Sequence, residues 1–283
     1  MQLMTPDPSL AVEAFGLQKR FGEKVAVERV DLRVQRGSFF GVVGPNGAGK
    51  TTSMRMITCL LRPDAGHAIV DGLDVWSDPT AAKHRFGVLP DDLRLFERLS
   101  GLEMLTYVGL LRRLDPAVAK RRADELLEVL GLTKARHELV TDYSQGMRKK
   151  IGLGAAMLHV PAVLFLDEPF ESVDPVSSRI IQDVLGRYRE NGGTVIFSSH
   201  VMETVERLCD EVAIVHDGRV VATGPTSEVC AGRTLEQAFI DSVDAGSRIV
   251  ADLDWLHIAD RPATAAVAAT ASTKAAESSP VPA

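Results

Sequence analysis

The 283-residue chain has only three cysteines, no long apolar run and no excess of positive charge. Cys59, Cys209 and Cys230 are far apart and fit neither a zinc site nor a disulfide framework, so we interpret them as buried, reduced thiols of a cytosolic protein. Lys and Arg number 32 against 38 Asp and Glu, which gives a net charge of −6. This balance does not support nucleic-acid binding.

The best candidate for a membrane span is residues 151–166, which are interrupted by His159 and Pro161 and run into Asp167. A spanning helix needs about 20 consecutive apolar residues. We therefore interpret this segment as a buried helix, a turn and a buried strand. The N-terminal residues lack a basic segment followed by an apolar run, so no secretion signal is expected. If the protein works at a membrane, another chain must supply the span.

Apolar residues make up 45% of the chain and charged residues 25%, as in folded globular domains. The first part of the chain is rich in short β-like runs, and its first helix is predicted from Lys50. The predicted strands in this part are 12–15, 25–34, 38–43, 68–70 and 86–89. Residues 100–158 are predicted to be helical, with one helix that begins at Pro116 behind the N-cap Asp115 and ends at Gly131.

Beyond residue 160, short apolar strands alternate with helices, which is typical of a mainly parallel α/β sheet. The predicted strands are 163–166, 194–198 and 211–215. The first predicted helix is opened by Asp174 and Pro175 and ends at 191–193, and the others are 201–209 and 235–243. The apolar face of the first of these helices is predicted to consist of Val176, Ile180, Val184 and Tyr188. The earlier helical block is therefore an insertion into an α/β core. Residues beyond about 260 lack an apolar stripe and are predicted to be disordered.

Residues 44–52, GPNGAGKTT, fit the pattern G-x-x-x-x-G-K-[ST] between a predicted strand and a predicted helix. Glycines let the backbone wrap around phosphate oxygens, and the N–H groups at the helix start face the anion. Lys50 is expected to reach the β- and γ-phosphates, and Thr51 to ligate Mg²⁺. The alternative is a Gly-rich turn that binds nothing. The candidate nucleotide-binding residues are Gly44, Pro45, Asn46, Gly47, Ala48, Gly49, Lys50, Thr51 and Thr52.

An acidic pair, Asp167 and Glu168, ends the apolar strand 163–166. Charges at the end of a buried strand need a partner, and carboxylates favour Mg²⁺. Asp167 is expected to hold the ion through water. Because side chains alternate along a strand, Glu168 is expected to point the other way and to polarise the attacking water. The alternative is an acidic strand end that only caps the next element.

Residues 143–150, YSQGMRKK, resemble the signature of the ATP-binding subunits of ABC transporters. The family usually has a Ser-Gly-Gly core, and the S-x-G-M form here is similar to the branch with ABC-2-type membrane partners. The resemblance implies that Ser144, Gln145 and Gly146 face the γ-phosphate bound by a second subunit. Ser144 is also a predicted helix N-cap, and both roles can hold at once.

The resemblance extends over about residues 10–243 and gives roles to three further side chains. It implies that Phe21 stacks on the adenine, where the family prefers Tyr. It also implies that Asp174 contacts the partner subunit and that His200 contacts the γ-phosphate. Each has a structural alternative, since Asp174 is a predicted N-cap and a lone Phe21 or His200 is more often structural.

Three positions depart from the family pattern. Asp91, after the strand 86–89, stands where the family usually has Gln, and its carboxylate could bind Mg²⁺ directly, through water or not at all. Gln145 replaces a Gly of the signature, and 170–171 replace a small polar pair. In 91–99, which the resemblance places in the cleft that receives a short helix of the membrane subunit, several side chains are apolar. Either they form a contact surface or they fold back onto the helical insert.

The resemblance implies an α/β fold with a P-loop NTPase core and a mainly parallel sheet (1–90 and 160–243). An antiparallel β subdomain lies near the N-terminus, and a helical subdomain (91–159) is inserted. A C-terminal extension follows (244–283). The catalytic residues would be Glu168, His200 and Lys50, with ATP and Mg²⁺ as cofactors; Thr51, Asp167 and Asp91 would contact the metal.

The same resemblance implies an ATP-hydrolysing subunit that docks head-to-tail with a second copy of itself. It would drive transport, with export favoured, through a separate integral membrane permease, and would lie on the cytoplasmic face of the cell membrane. Nucleic acid is not an expected partner. The alternatives are a soluble ABC-type ATPase without a transport role and a small-molecule P-loop kinase, and neither accounts for all the motifs.

Overall fold

The computed structural model describes residues 6–243, whose strands form a single mixed sheet of ten. The strands are β1 (Leu10–Phe21), β2 (Lys24–Gln35), β3 (Phe39–Val43), β4 (Ala65–Val70), β5 (Leu73–Asp74), β6 (Phe86–Leu89), β7 (Val163–Asp167), β8 (Thr194–Ser199), β9 (Glu211–His216) and β10 (Arg219–Pro225). Their spatial order is β5-β4-β1-β2-β10-β9-β3-β8-β7-β6.

Helices cover both faces of this sheet. They are α1 (Lys50–Ile57), α2 (Pro79–Arg85), α3 (Gly101–Leu111), α4 (Pro116–Val129), α5 (Gln145–Met157), α6 (Pro175–Glu190), α7 (Met202–Leu208), α8 (Thr226–Cys230) and α9 (Leu235–Val243). The predicted division into a core of 1–90 and 160–243 and an insert of 91–159 stays a prediction, as does the extension 244–283. The disorder predicted beyond about residue 260 concerns positions outside the described residues.

The strands β9, β3, β8, β7 and β6 are neighbours and pair in parallel. Every residue of β7 is buried, with Val163 and Phe165 in one core and Leu164 and Leu166 in the other. A strand that is covered on both faces has no polar face, so its sequence is a continuous apolar run. The predicted mainly parallel α/β sheet is confirmed, and its carboxyl edge is where such sheets bind ligands.

The strands β1, β2, β4 and β5 form the antiparallel part of the sheet near the N-terminus. In β2, buried Val30, Leu32 and Val34 alternate with exposed Asp31 and Arg33, as in a strand with one face in water. The strand β1 is longer than the predicted 12–15, and neither β5 nor β10 was predicted. The extension of β1 and the strands β5 and β10 form because they pair with neighbouring strands, and their sequences lack the apolar alternation from which strands are predicted.

The helices α3, α4 and α5 lie between β6 and β7 in the chain, as predicted for residues 100–158. Asp115 caps α4, because its Oδ1 accepts hydrogen bonds from the N–H of Ala117 at 2.9 Å and of Val118 at 3.2 Å. Ser100 and Glu103 form a capping box at α3. The predicted start of α4 at Pro116 is confirmed.

The predicted apolar face of α6 is wrong at Val176, which is 70% exposed. The predicted Val184 is buried, and the predicted Ile180 and Tyr188 are partly buried against the core. The helix also buries Ile181 and Leu185, which were not predicted. Residues spaced by three and four share one helical face, and Ile181, Val184 and Leu185 are such a set. Val176 lies in the first turn, outside that face, and its apolar character therefore does not indicate burial.

Residues 151–166 form the C-terminal part of α5, a turn and most of β7, which confirms the predicted helix, turn and strand. Within the turn, Leu158 and Pro161 are buried, whereas Val160 is 67% exposed. Across residues 6–243, every helix is too short or too polar to traverse a bilayer.

Candidate functional site

The Gly-rich loop between β3 and α1 depends on backbone conformations that favour glycine. Gly44 has φ +155°, and a Cβ atom there would lie 2.1 Å from the Val215 carbonyl oxygen. Gly49, which precedes the first residue of α1, has φ +105°, and a Cβ atom there would lie 2.8 Å from the Ala26 carbonyl oxygen. Both glycines therefore permit a tight turn that aims the start of α1 into the loop.

Lys50, the first residue of α1, folds its side chain back over this loop. Its Nζ donates hydrogen bonds to the carbonyl oxygens of Gly44 at 2.7 Å and Pro45 at 3.2 Å, and it lies 3.7 Å from Glu168 Oε1. Lys50 is only 6% exposed. A buried ammonium held by carbonyl oxygens and one carboxylate provides a positive charge to which phosphate oxygens can bind.

The carboxylate of Asp167 lies beside the hydroxyl of Thr51, 116 positions earlier in the chain. Thr51 Oγ1 donates to Asp167 Oδ1 at 3.1 Å, and Ser198 Oγ donates to the same oxygen at 2.5 Å. Hydroxyl and carboxylate oxygens are the donors that Mg²⁺ prefers, so this pair fits the ion. In residues 6–243 no three His, Cys, Asp or Glu side chains form a metal cluster. These residues therefore supply only part of a coordination shell.

Glu168 follows β7 in a left-handed conformation with φ +46°. Its backbone N–H donates to Ser198 Oγ at 3.1 Å, and its Oε2 lies 3.2 Å from Nδ1 of His200. Its carboxylate therefore faces Lys50 and His200, whereas that of Asp167 faces Thr51. Two adjacent carboxylates with different partners can take different roles, as the alternation argument predicts.

A cavity of about 410 Å³ surrounds the loop, within the usual size range of small-ligand sites. Phe21 lies at its mouth and is 51% exposed, so its ring is available for stacking. Of the predicted site residues, Phe21, Pro45, Asn46, Gly47, Ala48, Gly49, Lys50, Thr51, Thr52, Asp91 and Glu168 line this cavity. Lys24, Ala26 and Glu171 also line it and were not predicted.

The predicted signature residues form a separate cluster at the start of α5. Ser144 caps the helix by accepting a hydrogen bond from the Met147 N–H at 3.3 Å. Ser144 and Gln145 are exposed, whereas Gly146 is buried so closely that a Cβ atom there would lie 2.9 Å from Asp174 Oδ2. Within the described part of the chain, Ser144, Gln145 and Gly146 do not line the cavity around the loop.

Asp174 is the N-cap of α6 and accepts a hydrogen bond from the Ser177 N–H at 2.9 Å. This bond holds the pKa of the Asp174 carboxyl below its usual range. The predicted capping role of Asp174 is confirmed, and its contact with a partner subunit stays a prediction. The cluster with Ser144 nevertheless places two predicted contact residues on one surface.

Two residues at the site were missed by the sequence argument. Ser198 joins the acidic pair, because its hydroxyl donates to Asp167 and accepts from the Glu168 N–H. Lys149 of α5 donates from Nζ to the Glu168 carbonyl oxygen at 2.9 Å. Ser198 precedes His200 by two positions, and Lys149 belongs to the signature segment. Both residues lie in segments that the sequence argument discussed, but the local sequence does not show that either one contacts the acidic pair.

The predicted alternatives for 91–99 are resolved differently for different side chains. Leu93 and Leu95 are partly buried and pack against the core that includes the helical insert. Phe96 is 46% exposed and lies edge-on against Tyr107, with the ring centroids 5.1 Å apart. Folding back therefore describes Leu93 and Leu95, whereas Phe96 keeps an apolar face at the surface.

A parallel strand that leads through a Gly-rich loop into a helix, with a lysine over the loop and carboxylates at a nearby strand end, defines a P-loop ATPase. Residues 27–171, about half of the chain, match the family model for the ABC transporter. The chain is similar to a solved structure described as the ATP binding subunit of an ABC transporter. The TM-score is 0.77 at 27% identity, over 82% of this chain and 99% of that one.

Two curated relatives show the same family at higher identity. The linearmycin resistance ATP-binding protein LnrL of Bacillus subtilis is 34% identical over 252 residues, which cover 88% of this chain and 81% of that protein. The daunorubicin resistance ATP-binding protein DrrA3 of Streptomyces coeruleorubidus is 41% identical over 219 residues, which cover 77% and 69%. This chain belongs to the ATP-binding proteins of the ABC transporter family. It binds and hydrolyses ATP to drive transport, which implies a separate membrane subunit.

Proposed function

We propose that two copies of this chain enclose two Mg-ATP molecules and that their hydrolysis drives export through a separate membrane permease. The observation that carries the proposal is the convergence of Lys50, Thr51, Asp167, Glu168 and His200 at the carboxyl edge of one sheet. These side chains supply a phosphate-binding cation, metal ligands and a candidate base, and Thr51 contacts Asp167 while Lys50 and His200 both contact Glu168.

Glu168 is the proposed general base. Its carboxylate takes a proton from the water that attacks the γ-phosphorus, while the bond from that phosphorus to the bridging oxygen of ADP breaks. His200, 3.2 Å from Glu168 Oε2, orients that carboxylate and can donate to a γ-phosphate oxygen. Lys50 stabilises the charge on the same oxygens, because its ammonium already lies over the loop.

Mg²⁺, when bound, neutralises charge on the β- and γ-phosphate oxygens. Thr51 and Asp167 are its proposed ligands, since their oxygens lie 3.1 Å apart at the start of α1 and the end of β7. Asp91 lines the same cavity and is the third proposed contact of the metal, and its carboxylate lies 3.7 Å from Lys149 Nζ.

The second copy is proposed because the signature cluster and the phosphate loop of one chain do not share a cavity. Ser144 and Gln145 are exposed. In a head-to-tail pair, the Ser144 hydroxyl and the Gly146 N–H of one copy contact the γ-phosphate held by the other, and Asp174 contacts the partner subunit. Each site is then complete only in the dimer, so opening and closing of the pair is coupled to hydrolysis.

The direction of transport and the location are proposed from the relatives. LnrL and DrrA3 are described as resistance proteins against linearmycin and daunorubicin. Resistance by transport requires removal of the compound from the cell, so we propose that this chain powers export of compounds of that kind. Its place is then the cytoplasmic face of the cell membrane, bound to the permease.

The test is the oligomeric state of the Glu168→Gln variant with saturating Mg-ATP. We expect it to bind ATP without releasing phosphate and to elute as a dimer in size-exclusion chromatography with light scattering. The wild type should hydrolyse ATP, and Lys50→Ala should neither dimerise nor release phosphate. An E168Q variant that binds ATP and stays monomeric would contradict the arrangement across two chains.

A further inference from the structure

Lys149 of α5 is a buried lysine that the proposed mechanism does not use. It is 8% exposed, and its Nζ donates to the Glu168 carbonyl oxygen at 2.9 Å. The same Nζ lies 3.7 Å from Asp91 Oδ1, the carboxylate within salt-bridge distance of it in the described residues. A buried ammonium is costly unless it is paired and hydrogen-bonded. These two contacts therefore determine where Lys149 lies.

The peptide of Glu168 needs such support because its backbone is strained. A non-Gly residue at φ +46° is strained and persists only where its surroundings hold it. Ser198 Oγ accepts from the Glu168 N–H at 3.1 Å. Lys149 binds the carbonyl at the other side of the same residue. The hydrogen bonds from Lys149 and to Ser198 together fix the backbone of Glu168, the residue whose side chain we propose as the base.

Asp91, in the loop that follows β6, is the carboxylate that faces Lys149. Its carboxylate lines the nucleotide cavity and is 52% exposed, in contrast to Lys149. The loop packs against α5, where a Cβ atom at Gly152 would lie 2.9 Å from Leu93 Cδ2. A displacement of this loop therefore changes the charge that faces Lys149, and with it the hold on Glu168.

We infer that Lys149 is a positioning residue for ATP hydrolysis, which holds Glu168 through its carbonyl oxygen and is itself held by Asp91. The inference rests on the proposed role of Glu168 as the base. Within the described residues, Lys149 does not line the cavity in which we propose that the nucleotide binds. Its loss should therefore slow the chemical step without weakening nucleotide binding.

The experiment compares Lys149→Met, Lys149→Arg and Lys150→Met. Lys150→Met removes the adjacent buried ammonium of α5, which makes no hydrogen bond to the acidic pair in the described residues, and so controls for the loss of buried charge. For K149M we expect kcat to fall about tenfold or more below that of K150M. Its KM for ATP and its affinity for a fluorescent ATP analogue should stay within about twofold of the wild type. Lys149→Arg should restore most of kcat.

The role of Asp91 is measured with a double-mutant cycle of Asp91→Asn and K149M. If the two residues act through one contact, the change in kcat caused by D91N should be smaller in the K149M background than in the wild type. Additive changes would overturn the link to Asp91. If K149M does not fold, Lys149→Gln replaces it in each comparison, because glutamine keeps a hydrogen-bond donor but carries no charge.

The outcomes separate this inference from the proposed function. A wild-type chain that does not hydrolyse ATP would overturn the proposed function. A wild type that hydrolyses ATP and is inactivated by E168Q, while K149M has the kcat of K150M, would overturn only the role of Lys149. A rise in KM with unchanged kcat would also overturn it, because the lysine would then act on binding.

Discussion

His159, in the turn after α5, is a partly buried histidine in a positively charged setting. Its Nε2 lies 3.1 Å from the Phe86 carbonyl oxygen, and its buried Nδ1 has no hydrogen-bond partner among residues 6–243. Burial, followed by the nearby guanidinium of Arg112, lowers its pKa from 6.5 to about 4. The ring is therefore neutral in the folded protein at neutral pH and donates from Nε2 to the carbonyl.

We predict that His159 makes the fold sensitive to mild acid. Because its pKa is lower in the folded state, the stabilisation is complete above about pH 6.5 and is lost as pH falls towards about 4. His159→Gln keeps a donor for the Phe86 carbonyl but does not titrate. In urea unfolding at pH 7.5, 5.5 and 4.5, the variant should lose less stability than the wild type. Equal losses in both proteins would contradict this assignment.

At the scale of the helix, α3 and α4 pack together where two small residues, Gly109 and Ala119, meet. A Cβ atom at Gly109 of α3 would lie 2.7 Å from the Cβ of Ala119 and 3.1 Å from Leu158 Cδ2. The glycine thus lets α4 pack against the backbone of α3. Gly186, in the interior of α6, has open space where its Cβ would be. The two glycines therefore differ in packing but not in secondary structure.

These glycines give a matched pair of substitutions at the scale of the helix. Gly109→Ala should destabilise the protein by about 1 to 3 kcal/mol, because the added methyl forces α3 and α4 apart. Gly186→Ala should stabilise it by about 0.5 to 1 kcal/mol, since alanine loses less backbone entropy in a helix. Both values are measured as free energies of unfolding in urea. The contact argument fails if the two changes have the same sign and size.

At the scale of the whole molecule, ligand binding and folding are linked. The Gly-rich loop, the start of α1 and Glu168 after β7 line one cavity. This cavity exists only in the folded chain, so a nucleotide bound there stabilises the folded state and not the unfolded one. For a single site, a ligand at one hundred times its Kd adds about 2.7 kcal/mol of stability. The gain in stability therefore measures nucleotide binding independently of hydrolysis.

We predict that Mg-ATP raises the Tm of the wild type and of E168Q, and that the rise depends on ATP concentration. Lys50→Ala should lose most of this shift, because the buried ammonium over the loop is absent. Differential scanning fluorimetry with and without nucleotide measures both, and the Tm without nucleotide controls for damage to the fold. An undiminished shift in K50A would contradict the role of Lys50.

Features decided within a short stretch of chain were predictable from the sequence. The Gly-rich loop with Lys50, the N-cap at Asp115 and the apolar run of β7 each combine residue types whose local physics permits few alternatives. The parallel core followed from buried strands that alternate with helices. Together with the order of the motifs, these features also determined the family.

Features that depend on contacts between distant positions were decided only by the tertiary structure. Ser198 links Asp167 to Glu168 across two strands, and Lys149 reaches Glu168 from another helix. Val176 is apolar like a core residue but is exposed, because the face of α6 that packs against the core is formed by Ile181, Val184 and Leu185. Sequence periodicity describes one element at a time, whereas these outcomes depend on how two elements meet.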